Sequence, residues 1–413
     1  MPNDITTIDT SRNREELAQP AQRLIKAPDV FEEFARDMEA GGFAGDKRHA
    51  QLAFTVGTSR LLKEPMSLFI KGPSSSGKSR LLNSVLGFFP EEAYELKSGI
   101  SPKAIAYGGS DLRHRIFAVQ EMVGLNSPDG NPLIRTLISE KRITWEVTER
   151  KGDQFTTRTI ERDGPIAFML TTTLTYTHGE DESRALTIEI SDTPEHTRLV
   201  LTKIAEHVSG NKNDDVVDRE EYHAYQRWLA LGPTVVVVPF GSLLAATFNS
   251  RANRAKRDFW QLMSAIQVSA LLHQYNRTVD ERGRIVAALD DYRMVREFLA
   301  PAINEATGAT IPPAIQETVE AILALGGNGV GKSDLAGVPG PTLAALREKL
   351  GDIDRSSVSR RVNRAKELGY VTDLTKGNGH PSNLIVIQAL PKDKDVLPMV
   401  EELTQEAHTL QTA

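Results

Sequence analysis

The chain has 413 residues, 40% hydrophobic and 25% charged, with 49 Lys plus Arg against 55 Asp plus Glu and a net charge of −6; its length suggests two or three domains. The absence of cysteine excludes disulfides, zinc ribbons and cysteine nucleophiles, and the acidic balance excludes a nucleic-acid binder that uses its whole surface, leaving only local basic patches for that purpose. No apolar run approaches the roughly 18 residues of a membrane span and residues 1–20 hold no signal-peptide core, so a cytoplasmic protein with no membrane partner is expected.

Residues 1–27 are polar and read as a flexible tail. Residues 28–65 read as helices leading into a core. MSLFIK, Met66–Lys71, is a short apolar run suited to a buried parallel strand. GPSSSGKS follows at 72–79 and fits the phosphate-loop pattern G-x-x-x-x-G-K-[ST]. Behind it, Leu81, Leu82, Val85, Leu86 and Phe89 recur at helical spacing. A phosphate loop needs this context: a strand holds it rigid, and a helix N-terminus aims backbone N–H groups at phosphate. Gly72 and Gly77 permit the turns, and Pro73, Ser74, Ser75 and Ser76 complete the cradle for ATP. Lys78 is expected to reach the terminal phosphates, and Ser79 to bind Mg²⁺ through its hydroxyl.

A second match, GGNGVGKS at 326–333, has the wrong flanks. The end of an amphipathic helix precedes it, and DLAGVPGP meets Gly and Pro at once. It reads as a turn between two small helices.

RIFAVQEMVG, Arg115–Gly124, reads as a strand ending in acid, in the manner of a Walker B strand. Glu121 is placed to polarise the attacking water. The preceding position usually holds an Asp for the metal's water shell; here Gln120 can hydrogen-bond a metal-bound water but supplies no charge. ITWEV and QFTTRTI flank Lys151-Gly152-Asp153 as a β-hairpin, with Arg150 and Lys151 at its tip as candidate DNA contacts. GPIAFMLTTTL, Gly164–Leu174, is a second apolar strand, and Thr171, Thr172 and Thr173 stand where a sensor would touch the γ-phosphate or its water. Thr172 is the central candidate.

Residues 66–200 thus read as an α/β ATPase core, 201–307 as a helical lid, and GATIPP (308–313) as a linker. Residues 314–390 read as helix, turn, helix, helix and a two-stranded wing. AIQETVEAILAL is the first helix, SDLAG a short second one capped by Ser333, and RSSVSRRVNRAKELGYV the recognition helix. Val358, Val362, Ala365 and Leu368 line its core side, while Arg360, Asn363 and Arg364 point away. From Asp354 to Lys376 six basic residues face three acidic ones, the local patch that the bulk charge demands. Arg360 and Arg364 could enter a major groove and Lys376 could meet phosphate. Residues 391–413 read as a charged helical tail without chemistry.

The stretches TSRLLKEPMSLFIKGPSSSGKS (58–79), HRIFAVQEMVG (114–124), GPIAFMLTTT (164–173), DESRALTIEISDTPEHTR (181–198) and RDFWQLMSAIQVSALLHQYNR (257–277), with the C-terminal pattern, carry a likeness. Residues 28–390 resemble the AAA+ helicase-like module of primase-associated proteins from phages and other mobile elements, relatives of the minichromosome-maintenance helicases. The resemblance implies a P-loop AAA+ core with a helical lid and a winged-helix DNA-binding domain. It implies an ATP- and Mg²⁺-dependent DNA helicase or translocase in a homo-oligomeric ring, a hexamer. Arg184, in DESRALTIEI, falls where relatives place an arginine finger reaching the neighbouring subunit. Arg257 falls where a second sensor would stand, with Arg254 as runner-up in a cluster that also holds Arg251 and Lys256. Relatives often carry a zinc ribbon and a primase domain; this cysteine-free chain is expected to hold neither, so priming would fall to a separate protein. The competing expectation is an ATPase-gated DNA-binding regulator or replication initiator that does not unwind.

Overall fold

The computed structural model describes residues 10–99, 111–121, 136–140, 142–151, 154–173, 185–190, 194–209, 217–248, 255–307, 313–332, 335, 337–351, 353–375, 381–390 and 396–403. Two compact units divide the chain, Met1–Ala302 with Leu397–Ala413, and Ile303–Val396.

The first unit is built on a five-stranded sheet. Its strands are β1 (Ser67–Lys71), β2 (Tyr94–Lys97), β3 (Arg115–Val119), β6 (Ile166–Thr172) and β7 (Leu186–Glu189), in the order β2-β3-β6-β1-β7. All four pairings are parallel. Every residue of β1 and β6 is buried, which is why these strands read as unbroken apolar runs rather than alternating ones. Phe69, Phe117, Val119, Phe168 and Leu170 fill one core of the sheet with Leu137 and Ile138. Between β3 and β6 the chain forms an antiparallel hairpin of β4 (Ile143–Lys151) and β5 (Gln154–Arg162), whose register pairs Lys151 with Gln154.

The flexible tail expected at 1–27 is corrected by two helices, Thr10–Ala18 and Gln22–Lys26, both packed on the helix Arg219–Ala230. Leu24 and Ile25 are buried. Arg23 donates to Glu33, Asp37 and Glu221 at 2.7 Å each, and Arg14 stacks over the Trp228 ring at 4.2 Å. The partners come from residues distant in sequence, so the local polarity of this stretch hides its order. Tyr222 of the helix Arg219–Ala230 meets Phe34, Phe54 and Phe88 edge-on. That region is therefore packed into the core of the unit.

The ALLHQYNR stretch, part of the likeness above, works as a polar brace. His273 lies buried, its Nδ1–H donating to the Ser269 carbonyl at 2.8 Å and its Nε2 accepting from Val30 N–H at 3.0 Å. Arg277 grips buried Asp291 with two bonds of 2.8 Å. Burial pulls the His273 pKa below its ordinary 6.5, and a proton on Nε2 would displace the Val30 N–H. The unfolded chain then takes up that proton at higher pH than the folded one. The stability tied to neutral His273 is therefore full above about pH 6.5 and is lost as pH falls below it, at up to about 1.4 kcal/mol per pH unit. The urea midpoint should hold between pH 8 and 7 and drop toward pH 5. His273→Gln should flatten that drop, and an unchanged slope would remove His273 as its source.

Leu397 is buried, and the Pro398 carbonyl accepts from Tyr292 Oη at 2.5 Å and Arg296 Nε at 2.9 Å. The start of the expected C-terminal tail is thus seated in the first unit.

In the first unit two short strands, β8 (Val236–Val237) and β9 (Ile285–Val286), also pair in parallel. Among its described residues the second unit holds the helices Pro313–Ala324, Leu343–Lys349 and Arg355–Glu367, and an antiparallel ribbon of β10 (Val371–Asp373) and β11 (Leu384–Val386). Val319, Ile322, Leu346, Val358, Val362, Ala365 and Val386 form its core, and Arg361 ties the third helix to Glu317 of the first at 2.8 Å. Of SDLAG, the described Leu335 and Gly337 are not helical, and the second described helix is another one. It begins nine residues later, where Thr342 Oγ1 accepts from Ala345 N–H at 3.2 Å and caps an orphan donor; Ser333 lies outside the described residues. Among the described residues no helix is long and apolar enough to cross a membrane.

Candidate functional site

The first phosphate loop joins β1 to the helix Lys78–Leu86. Three residues take left-handed backbone angles to curl it: Gly72 (φ 152), Ser75 (φ 66) and Gly77 (φ 95). Such turns gather successive N–H groups into an anion-binding nest at a helix N-terminus. The Ser76 amide bonds back to the Pro73 carbonyl at 3.3 Å, while those of Ser74, Ser75 and Gly77 take no backbone acceptor among the described residues. The Ser76 hydroxyl is buried with no partner among the described residues. A buried hydroxyl without a partner costs free energy that a bound ligand oxygen would recover.

Lys78 is buried, and its Nζ donates to the Gly72 and Pro73 carbonyls at 2.9 and 2.5 Å. This holds the ammonium over its own loop. Burial lowers its pKa and the Glu121 carboxylate pulls it back up, so the cation and the acid sense each other although they are 43 positions apart. Sheet order explains the encounter. β6 lies between β1 and β3, with Lys71 beside Thr172, Ile70 beside Thr171 and Val119 beside Leu170. The carboxyl ends of three adjacent strands therefore carry the phosphate loop, Gln120-Glu121 and the threonines at one edge, where open α/β sheets place ligands.

Gln120 is fixed from both sides. Its N–H donates to the Lys97 carbonyl at 2.8 Å, and its carbonyl accepts from Thr171 Oγ1. Its Nε2 donates to Asn83 Oδ1 at 2.7 Å. Thr171 is thus committed to holding Gln120, a role the sequence reading missed. Thr172 is buried and Thr173 exposed. Glu121 and Ser79 are both exposed, within reach of a ligand. These donors fit a nucleotide with its divalent cation: amides and an ammonium for phosphate, and a hydroxyl and a neutral amide for the cation's shell.

Gly72 has no room for a side chain. A Cβ there would stand 2.7 Å from the Ile190 carbonyl and 2.7 Å from Ser76 Oγ, at a backbone angle that strains any other residue. Gly72→Ala should cost roughly 1–3 kcal/mol of loop geometry and weaken nucleotide affinity about 10-fold or more. Titration with a fluorescent ATP analogue checks this, and unaltered affinity would count against the cradle.

The second match is differently built. Gly329 N–H donates to the Val386 carbonyl and Val386 N–H to the Gly327 carbonyl, at 2.9 and 2.8 Å, so the loop pairs with β11 as a strand would. The amides of Gly327, Asn328 and Lys332 also have backbone acceptors, and that of Val330 has Asn328 Oδ1. The amides of residues 326–330 and of Lys332 are thus spent on the fold.

Arg257 is exposed on the first turn of the helix Ala255–Leu272, whose Leu262, Ile266, Ala270 and Leu271 are buried. Arg360 is exposed, its guanidinium bonding to Ser357 Oγ at 2.9 Å, and Arg364 lies 3.7 Å from Glu367. Arg184, Arg251, Arg254 and Lys376 lie outside the described residues, as do the side chains of Arg150 and Lys151.

No curated protein matches the chain. Residues 33–226 match the family model described as the MTBMA_p00010 P-loop domain, and that span holds the sheet, the phosphate loop and Glu121; over it the chain is similar to a P-loop domain.

Proposed function

We propose that the chain is an ATP-driven DNA helicase or translocase that works as an oligomeric ring. The observation that carries the hydrolytic part is that the sheet order brings the phosphate loop after β1 and Gln120-Glu121 after β3 to one edge, with β6 between them, where the Glu121 carboxylate acts on the Lys78 charge. Lys78 and the loop amides hold the phosphates, and Ser79 with Gln120 would hold Mg²⁺. Mg²⁺, when bound, neutralises charge on the transferring phosphoryl group. Glu121 orients and deprotonates the attacking water, and Thr172 stands beside it as a sensor. Arg184 supplies the finger from a neighbouring subunit and Arg257 the second sensor.

The motor part is supported by the β4–β5 hairpin, inserted between the strand that ends at Glu121 and the strand that ends at the threonines. A shift at either strand end during hydrolysis is passed to a hairpin whose tip carries Arg150 and Lys151. The three helices and ribbon of the second unit support a winged-helix reading, with Arg360, Arg364 and Lys376 toward DNA. One observation favours the second reading, an ATPase-gated DNA-binding regulator: the neutral Gln120 where an acid would speed turnover.

Strand displacement on forked DNA separates the two. The motor reading predicts ATP-dependent displacement that Lys78→Ala abolishes, whereas turnover without displacement favours the regulator. The ring has its own test. Arg184→Ala and Lys78→Ala proteins should each be inactive alone, and mixing them should restore part of the turnover at interfaces that join an intact Lys78 to an intact Arg184. No recovery, with mixed assembly confirmed by mass, would refute a finger acting between subunits.

A further inference from the structure

Gln120 occupies the position from which an acid would serve the cation, and its side chain is held. The backbone on either side is pinned to Lys97 and Thr171, and the one described partner of the side chain is Asn83, 2.7 Å from Nε2. Asn83 follows Ser79 by four residues in the helix Lys78–Leu86, so the two share a face. The metal-binding hydroxyl, the Asn83 amide and Gln120 are therefore neighbours.

We infer that Asn83 is a positioning residue that aims Gln120 at the cation's water shell, so that the protein offers a neutral carbonyl where a carboxylate would stand. This rests on the reading of residues 72–79 as the nucleotide site. With Nε2 engaged by Asn83, Oε1 is the acceptor left for a water O–H. Without Asn83 the glutamine's three side-chain torsions are released, and the oxygen is presented only part of the time. Among the described residues no group of three or more His, Cys, Asp or Glu could hold a metal. Gln120 adds no charge of its own, so the nucleotide's phosphates hold the cation and the two bind together. The Mg²⁺ concentration needed for nucleotide binding becomes the quantity that Asn83 sets.

The test titrates magnesium chloride into the full chain with a fluorescent, non-hydrolysable ATP analogue and reads binding rather than turnover. Loss of a residue that orients a metal ligand typically costs 10–100-fold in metal affinity. Asn83→Leu should therefore raise the half-saturating Mg²⁺ about 10-fold, while affinity at saturating Mg²⁺ and the melting temperature stay put, since Asn83 is exposed. Asn83→Asp keeps an acceptor for Gln120 Nε2 and should need no more Mg²⁺ than wild type. Gln120→Asp, which restores the charge, should need less. A purely structural Asn83 would move the melting temperature and leave the Mg²⁺ dependence alone. An Asn83→Leu protein with the wild-type half-saturating Mg²⁺ overturns the proposal, and so do Leu and Asp variants that shift equally. A wild-type protein that binds the analogue at no Mg²⁺ concentration overturns the nucleotide reading itself, so the two failures are told apart.

Discussion

Lys78→Ala should lower nucleoside triphosphate turnover by about 10²–10³-fold, while Lys332→Ala stays at the wild-type rate. The magnitude is that of removing one preorganised donor from a developing anion. Both lysines occupy the same place in the same eight-residue pattern, so the pair tests context against motif. Lys78 is buried at the first turn of a helix, held over its loop by the Gly72 and Pro73 carbonyls. Lys332 is exposed, in a loop whose amides already pair with β11 and with each other. Within the loop itself no group replaces this ammonium, because the others are amides and hydroxyls. Phosphate release with ATP and Mg²⁺ measures both variants. A dead Lys332→Ala protein would put the site in the wrong unit.

Glu121→Gln should keep nucleotide binding and lose hydrolysis, by about 10²–10⁴-fold, the range of general acid–base catalysis. Two effects oppose each other. Removing the carboxylate takes away the group that orients and deprotonates water. It also takes away the charge that raises the Lys78 pKa, leaving burial to lower it; the loop amides and the lysine that hold phosphate are otherwise untouched, so phosphate binding survives. Gln120→Asp should preserve or raise turnover, since it adds a charge beside the cation. The contrast between binding and turnover is the informative quantity. Glu121→Gln with normal hydrolysis removes the residue from the mechanism, and lost binding would make it a structural partner of Lys78.

The phosphate loop could be read in advance because three local signals agree: a buried run, the glycine pattern and a helical period. The second match could be set aside because its flanks disagree. Other features depend on long-range pairings. That β6 slips between β1 and β3 is a matter of crossover connections, and Thr171 reads as a sensor in the sequence because its bond to the Gln120 carbonyl exists only once those strands are neighbours. The Asn83–Gln120 pair spans 37 positions and has no local signature. The helices at 10–26 were missed because their partners, Asp37, Glu221 and Trp228, lie far along the chain. In the second unit Ser333 and Thr342 both look like helix caps, and the Gly-Pro run at 339–341 hides the start of the true helix behind it. His273 and Arg277 were read as part of a family likeness, whereas burial and buried bonds make them structural.

The central claim is that residues 72–79, and not 326–333, receive the nucleotide. Amide hydrogen exchange on the hydrolysis-arrested Glu121→Gln protein, with and without ATP and Mg²⁺, tests it most directly, because it reads the loop donors themselves. Nucleotide should slow exchange at the amides of Ser74, Ser75, Gly77, Lys78 and Ser79, which the fold leaves without backbone acceptors among the described residues or uses to start a helix, and should leave Gly327–Lys332 unchanged. Slowed exchange at Gly327–Lys332 with no change at Ser74–Ser79 would contradict the account.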